Sequence, residues 1–321
     1  MSKAKVAIFW AASCGGCDIA TLDIHETLIP LLEKIEFVFW PCAMDIKYSD
    51  VEAMKDEEID VCFFNGAIRN SENEHVAKLL RRKSKLMVAF GACSSWGGIP
   101  ALINFSTNKE TFDWVYKNCF SIDNKEGIVP QTHTKKEGYE LELPELYNTT
   151  KKLDDVVDVD YYMPGCPPVP KQIIAVVTAI LEGKLPPKGA VVGAGEKNLC
   201  EECKRTRKEK KIKKFVRVQE MEYISPDECL LDQGMLCMGP VTRSGCGALC
   251  PNANIGCEGC YGPAAGVKDM GLKMVSALAS VIDSKDEKEI KEIVDTISDP
   301  AGRFYRFTMS QSLLKRKAVS K

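Results

Sequence analysis

The stretch IFWAASCGGCDIA, residues 8–20, places Cys14 and Cys17 directly after an apolar run. A continuously apolar run rich in Ile, Phe and Trp predicts a strand that is buried on both faces. The Cys-x-x-Cys pair then lies at the carboxyl end of the first strand, where open α/β sheets bind their ligands. By itself the pair is compatible with a redox dithiol, half of a zinc site or half of an iron–sulfur site.

Similar apolar runs recur through the first half of the chain and alternate with helical patterns. Apolar residues at helical spacing run from Ile24 to Ile35, and a second helix is predicted over about residues 73–82. The predicted strands cover residues 5–10, 36–41, 61–66, 86–91 and 159–165. This alternation predicts an α/β fold with an open parallel sheet.

The second half of the chain has a different pattern. A helix is predicted to end at Gly183, and a Pro/Gly-rich linker follows it. Residues 190–265 have almost no periodicity, whereas residues 266–298 are helical again, with a capping signal in SKDEKEIKEIVDTI, residues 284–297. We therefore predict a parallel-sheet domain (1–189), an irregular cysteine-rich domain (190–265) and C-terminal helices that pack back on the subunit (266–321).

Composition argues against several functional classes. The 43 basic and 45 acidic residues give a net charge of −2, which provides no general attraction to nucleic acid. No apolar run is as long as a membrane span, and the start of the sequence contains no leader pattern. We therefore expect a cytoplasmic chain with no nucleic-acid partner and no membrane span. In a reducing compartment, the 15 cysteines indicate metal binding rather than a disulfide framework.

Four of these cysteines follow predicted strands. Cys14 and Cys17 follow the first strand, Cys93 the fourth and Cys166 the fifth, so the four thiols should meet at one edge of the sheet. Four thiolates can hold a 4Fe-4S cluster or a tetrahedral zinc ion. A thioredoxin-type dithiol is the alternative for the first pair alone. Asp18 is predicted to be the N-cap of the following helix.

Eight more cysteines lie between residues 200 and 260 and divide into two sets of four. One set is Cys200, Cys203, Cys229 and Cys237, and the other is Cys246, Cys250, Cys257 and Cys260. Zinc ribbons would show cleaner paired knuckles, so the looser spacing favours iron–sulfur clusters over zinc. We also expect metal binding to drive the folding of residues 190–265, which otherwise have little to form a core.

These motifs resemble those of [NiFe]-hydrogenase small subunits over essentially the whole chain. The segments CGGCD, GACSSWGG and PGCPP are similar to the proximal-cluster motifs of that family, in order and in strand placement. CEEC and the closing CEGC are similar to its distal and medial segments. The resemblance implies a flavodoxin-like N-terminal domain and three 4Fe-4S clusters. It assigns Cys14, Cys17, Cys93 and Cys166 to the proximal cluster, Cys246, Cys250, Cys257 and Cys260 to the medial one, and Cys200, Cys203, Cys229 and Cys237 to the distal one.

Two positions depart from the periplasmic branch of this family. That branch usually has a histidine where this chain has Cys200, and often a proline where this chain has Cys250. The sequence is therefore most similar to the cytoplasmic branch, and within it to the methyl-viologen-reducing, deazaflavin-non-reducing hydrogenases of methanogens.

This resemblance implies an electron-transfer role. Hydrogen would be oxidised on a separate nickel–iron large subunit, and electrons would pass through this chain to a small iron–sulfur acceptor subunit and heterodisulfide reductase. The alternatives are the small subunit of a deazaflavin-reducing or NAD- or sulfur-linked cytoplasmic hydrogenase, a quinone-reducing subunit of the respiratory complex I type, and a zinc-binding structural protein.

A basic run lies inside the distal cysteine set. The segment KRTRKEKKIKKFVR, residues 204–217, carries nine basic residues. It has two interpretations, a solvated surface loop or a docking patch for an acidic electron-accepting subunit.

Overall fold

The computed structural model describes residues 3–208 and 211–317. Nine strands are formed in these ranges: β1 (Ala4–Trp10), β2 (Ile35–Phe39), β3 (Ile59–Asn65), β4 (Ile68–Asn70), β5 (Ser84–Phe90), β6 (His133–Lys136), β7 (Tyr139–Glu142), β8 (Leu146–Lys151) and β9 (Tyr161–Met163). The α-helices are α1 (Gly16–Leu22), α2 (Leu28–Leu32), α3 (Tyr48–Ala53), α4 (Ser71–Lys83), α5 (Ala92–Trp96), α6 (Asn108–Asp113), α7 (Pro170–Leu181), α8 (Leu249–Asn252), α9 (Met270–Ala279), α10 (Glu287–Val294) and α11 (Pro300–Phe304).

Five of the strands form one parallel sheet in the order β2–β1–β3–β5–β9. Numbered among themselves along the chain, these strands have the order 2-1-3-4-5, which is the flavodoxin-like order. The predicted α/β class and parallel sheet are confirmed, and each of the five predicted strands overlaps one observed strand.

The apolar runs arise because both faces of the sheet are covered. Ile8, Phe63 and Phe90 face one hydrophobic core, which also receives apolar residues of α1 and α7. Their neighbours along the strands face the opposite core, which is covered by α3 and α4. Since side chains alternate between the faces of a strand, double coverage requires apolar residues at every position.

Two of the predicted helices lie between strands of the parallel sheet. The predicted helix at residues 73–82 is α4, but the pattern from Ile24 to Ile35 is divided between a single 3₁₀ turn at His25–Thr27 and the short α2. His25 has φ of 52°, a left-handed conformation that separates this segment from α1, and Ile35 already belongs to β2. Ile24 and Ile35 are buried and Leu28 and Leu31 are partly buried, whereas Leu32 is exposed. Helical spacing therefore identified most of the inward positions and missed these breaks.

The region between residues 104 and 155, for which the sequence made no prediction, contributes strands to two small antiparallel pairs. β4 pairs with β8, and β6 and β7 form an exposed hairpin. The end of the helix predicted at Gly183 is confirmed, since α7 ends at Leu181 and the Gly183 amide donates to the Ile180 carbonyl at 3.1 Å.

The irregular segment after residue 190 has more core than expected. Leu199, Phe215, Leu231 and Leu236 pack with apolar residues of α9, α10 and α11 in one buried cluster. The expectation that this segment has little to form a core is therefore wrong, because its scattered apolar residues meet the helices that follow it. The division at residues 189 and 265 stays a prediction. No helix within the described ranges is long and apolar enough to cross a membrane.

Asp160, just before β9, ties the sheet to α4 and the linker. Its carboxylate accepts from Arg81 Nη1 at 2.6 Å and the Met87 amide at 2.8 Å, and it pairs with Lys188 at 2.6 Å. Burial alone would raise the pKa of Asp160, but the hydrogen bonds from Lys188, Met87 and Arg81 outweigh burial and lower it.

We expect Asp160→Asn to lower the free energy of unfolding at neutral pH by about 1.5–3 kcal/mol, the usual range for hydrogen bonds to a charged group. Because the folded pKa of Asp160 is depressed, its contribution is present above the unfolded pKa of about 3.9 and is lost as the pH falls through the folded value. The difference between variant and wild type should therefore shrink in acid, as measured by anaerobic denaturant unfolding at several pH values. Asp45→Asn, at an exposed position, is the control. A difference that stays constant down to acid pH would contradict this account.

Candidate metal centres

The first four predicted thiols meet at the carboxyl edge of the sheet. Cys14 lies in the loop after β1, Cys17 lies in the first turn of α1, and Cys93 is the second residue of α5 after β5. Cys166 follows β9, and its peptide bond to Pro167 is cis. We call Cys14, Cys17, Cys93 and Cys166 the Cys14 group.

Their proximity shows in the effect that the charge of each thiol has on the pKa of its neighbours. Burial raises the pKa of Cys17, and the charges of Cys93, Cys166 and Cys14 raise it further. Burial, Cys166 and Cys14 likewise raise the pKa of Cys93 to about 12. These thiols are thus close enough for the ionisation of one to oppose the ionisation of the others, and only a cationic partner would hold all of them as thiolates.

Gly91, which joins β5 to α5, makes this approach possible. A Cβ atom at residue 91 would lie 2.4 Å from Cys17 Sγ, and the residue has φ of +86°. Any side chain here would both collide with the thiol and strain the backbone. The glycine at position 91 therefore leaves free space beside the sulfur of Cys17.

Asp18 is not the helix cap that the sequence predicted. The N-cap of α1 is Gly15, and Asp18 is buried inside the first turn. Its carboxylate accepts from Trp40 Nε1 at 2.8 Å and from Asn65 Nδ2 at 2.6 Å. Asp18 cannot be the N-cap because it is the third residue of the helix. Its oxygens are instead held by residues that follow β2 and end β3.

Asn65 and Trp40 were missed by the sequence analysis. The available signal was their position, because both lie at the carboxyl ends of strands of the same sheet. Asn65 also accepts from Ser13 Oγ at 3.1 Å through its side-chain oxygen, next to Cys14. These bonds fix the loop that presents Cys14 and Cys17.

The second set of thiols lines a cavity in the irregular segment. Cys200, Cys203, Cys229 and Cys237 form its wall together with Gly239, Arg205 and Arg207. We call these four cysteines the Cys200 group. Burial and the charges of the other three thiols raise the pKa of Cys200 to about 12. A Cβ atom at Gly239 would lie 3.4 Å from Cys237 Sγ and 3.5 Å from Cys200 Sγ, so this glycine also leaves space beside the sulfurs.

The third set lies around α8 and the loop after it. Cys246, Cys250, Cys257 and Cys260 form what we call the Cys246 group. Burial raises the pKa of Cys260 to about 12, with further contributions from Cys246, Cys166 and Cys250. Cys257 Sγ donates to Thr242 Oγ1 at 3.6 Å. Glu258, between two of these thiols, pairs with Arg306 and Arg303 and so anchors the group to the region of α11.

Two contacts join the three groups in a line. Cys166, in the Cys14 group, lies beside Cys260 in the Cys246 group, since both pack against the cluster of Ala92, Trp96 and Phe307 and the charge of Cys166 raises the pKa of Cys260. The amide of Cys257, also in the Cys246 group, donates to Cys237 Sγ in the Cys200 group at 3.3 Å. The Cys246 group therefore lies between the other two.

A hydrogen-bond chain holds the first of these junctions. The Tyr261 hydroxyl donates to Gln172 Oε1 at 2.8 Å, and Gln172 Nε2 donates to the Pro164 carbonyl at 2.9 Å. Tyr261 follows Cys260, and Pro164 lies two residues before Cys166. The fully buried tyrosine and the side chain from α7 thus fix the spacing between the two groups.

The donor sets consist of cysteine sulfur. Within residues 3–208 and 211–317, no three His, Cys, Asp or Glu side chains lie close enough together to hold one metal ion. The four thiols of the Cys200 group line one cavity, and in the other two groups the thiols raise one another's pKa. Four cysteine sulfurs are the ligand set of a 4Fe-4S cluster.

The comparisons with known proteins agree with this donor chemistry. Residues 14–180 match the family described as NADH ubiquinone oxidoreductase, 20 Kd subunit. The iron-sulfur subunit of the F420-non-reducing hydrogenase of Archaeoglobus profundus is 42% identical, over 98% of this chain and 98% of its own. The corresponding subunit of the F420-non-reducing hydrogenase of Methanothermobacter marburgensis is 36% identical, over 98% of this chain and 97% of its own.

The chain belongs to the family of F420-non-reducing hydrogenase iron–sulfur subunits, which are the small subunits of [NiFe]-hydrogenases. The predicted resemblance is confirmed, and the small subunit is part of an oxidoreductase. A solved structure of an NAD+-reducing [NiFe]-hydrogenase in the H2-reduced state contains a chain that is 30% identical, with a TM-score of 0.50. The match covers 58% of this small subunit and 94% of that chain.

The remaining cysteines of the small subunit lie outside the three groups. Cys62 is fully buried in β3, and burial raises its pKa to about 12, as expected of a small core residue. Cys42 is exposed and Cys119 is partly exposed. The assignment of the twelve grouped cysteines as cluster ligands stays a prediction.

Tyr261→Phe should destabilise the small subunit by about 1–3 kcal/mol, because it leaves the buried Gln172 oxygen without its donor. Anaerobic thermal unfolding of the holoprotein would measure the loss. Tyr223→Phe, at a position that is 75% exposed, is the matched control and should leave the unfolding midpoint unchanged. Equal midpoints for Tyr261→Phe and wild type would show that the hydrogen bond does not hold this junction.

Proposed function

We propose that this chain is the electron-transfer subunit of a cytoplasmic [NiFe]-hydrogenase and that it relays electrons through three 4Fe-4S clusters. The Cys14 group would hold the proximal cluster, the Cys246 group the medial one and the Cys200 group the distal one. The observation that carries this proposal is the line of three four-thiol groups, joined by the contacts Cys166–Cys260 and Cys257–Cys237. Bound clusters would supply one-electron redox centres.

The protein's own part is to position and insulate these centres. The buried Cys17, Cys237 and Cys257 place sulfur in low-dielectric surroundings, and the Cys257 amide donates to Cys237 Sγ at the second junction. Such hydrogen bonds and burial tune the potential of an iron–sulfur centre. The raised pKa values of the thiols also imply that cluster binding displaces protons and stabilises the fold.

The edge of the sheet beside the Cys14 group offers a surface for the large subunit, on which we place the nickel–iron site. Trp10, Ile19, Leu22 and Ile99 are large apolar side chains that are 43–59% exposed, and along the chain they flank Cys14, Cys17 and Cys93. Exposed apolar residues concentrated beside a functional loop are typical of a protein interface. Electrons from hydrogen oxidation would enter here.

The opposite end of the line is the proposed exit. Cys200 is exposed, and Arg205 and Arg207 of the basic segment 204–217 line the cavity at this end. Residues 209 and 210 of the segment lie outside the described residues. We propose that an acidic iron–sulfur acceptor subunit docks here and passes electrons to heterodisulfide reductase. The 42% identity to an F420-non-reducing hydrogenase subunit favours this acceptor over a deazaflavin- or NAD-linked one. The cytoplasm is the proposed location, because it keeps twelve thiols reduced.

Iron and zinc per chain in anaerobically purified native protein would test the proposal. Three four-iron clusters predict about twelve irons and little zinc. Zinc without iron would contradict the relay and leave a zinc-binding structural protein as the alternative.

Replacing one ligand should remove one cluster. We expect Cys93→Ala to reduce the iron content by about four atoms per chain, because the remaining thiols of its group cannot complete a four-iron site. Cys62→Ala, which removes a buried thiol outside the groups, is the matched control and should keep the full iron content. Equal iron in both variants would exclude Cys93 as a ligand.

Reversing the charges of Lys211, Lys213 and Lys214 to Glu should slow electron delivery to the native acceptor without slowing the reduction of a small dye. Charged patches mainly accelerate association, and salt screens them. The difference between variant and wild type in the rate of electron delivery should therefore also fall as salt is added. Both rates would be measured on the same hydrogenase preparation with hydrogen as donor. An equal loss of both activities would contradict docking at this segment.

A further inference from the structure

Two arginines line the cavity that the Cys200 group encloses. Arg205 and Arg207 both belong to its wall, beside the four thiols and Gly239. A guanidinium stays protonated at every physiological pH. The site that would hold a dianionic or more negative thiolate-bound cluster therefore has two permanent positive charges at its boundary.

Arg205 is fixed by oxygens that do not neutralise it. Its guanidinium donates to the backbone carbonyls of Pro251, Glu228 and Ser225 and to Asn254 Oδ1. These four acceptors are uncharged, so they hold the side chain in place and leave its net charge intact. The acceptors come from the loops that carry Cys229 and Cys250, so the charge lies between the two cysteine groups.

Arg207 lies on the solvent side of the same cavity. Its side chain is exposed, and it belongs to the wall that the four thiols share. An added electron would make a bound cluster more negative. A positive charge on this wall therefore favours the reduced form.

We propose that Arg205 and Arg207 raise the reduction potential of the cluster bound by the Cys200 group. This inference rests on the proposed function. One electron would arrive from the site of the Cys246 group and leave to the acceptor, with no bond broken and no proton moved. The two cations would favour the arrival of the electron at the surface end of the line, where a partner can take it.

Arg207→Gln in the complete hydrogenase tests the inference, since Arg207 is exposed and its replacement spares the bonds of Arg205. The readout is an EPR-monitored redox titration of the cluster signal that Cys200→Ser perturbs. At the wild-type midpoint, we expect the oxidised-to-reduced ratio of this cluster to rise about threefold, which is ~28 mV for a one-electron couple. The shift should shrink at high ionic strength because the charge is exposed to solvent.

Two variants control for charge and for position. Arg207→Lys keeps the positive charge and should keep the wild-type midpoint. Lys213→Gln removes a charge from the same segment but not from the cavity wall, and it should also leave the midpoint unchanged. An unchanged midpoint in Arg207→Gln, or equal shifts in Arg207→Gln and Arg207→Lys, would overturn the inference alone. Absence of any iron–sulfur signal from the wild-type enzyme would overturn the proposed function with it.

Discussion

Two contacts between cysteines of different groups, Cys166 with Cys260 and Cys257 with Cys237, are the constraint on which the arrangement of this subunit depends. Each joins a cysteine of one group to a cysteine of the next, so a shift of either loop would change the spacing between neighbouring groups. Electron transfer depends on that spacing, and the protein fixes it with rigid parts. The parallel sheet fixes Cys166 through β9, and the bonds from Tyr261 to Gln172 and from Gln172 to Pro164 couple Cys260 to the same loop.

Ionising so many thiols together in the interior is unfavourable without a compensating positive charge. Burial is the largest cause of the raised pKa at Cys17, Cys93, Cys200 and Cys260, and neighbouring thiols add to it. Without metal these groups would hold their protons, and iron would displace them on binding. The apolar core shared by the cysteine-rich segment and α9–α11 supplies stability that does not depend on metal. Cluster binding is then added to a framework that already positions the thiols.

The sequence allowed much of the fold to be predicted, because the signals involved are local. A strand covered on both faces must be apolar throughout, so the five parallel strands and the edge bearing Cys14, Cys93 and Cys166 could be located from their runs. The roles of Asp18 and Gln172 could not. Asp18 is held by residues 22 and 47 positions away, and Gln172 meets Tyr261 across 89 positions. Contacts of this range follow from the packing of elements and leave no periodic pattern.

The surroundings of its two ends give the line a direction. Cys14 and Cys200 are exposed residues at opposite ends, Cys250 of the middle group is also exposed, and Cys257 and Cys237 at the second junction are buried. The two ends differ in kind. Apolar side chains such as Ile19 and Ile99 flank the first, whereas Arg205 and Arg207 line the cavity at the second. An apolar surface suits a permanent partner, and a charged one suits a partner that associates and leaves. A subunit with one surface of each kind is suited to accept electrons from a fixed source and deliver them to an acceptor that exchanges.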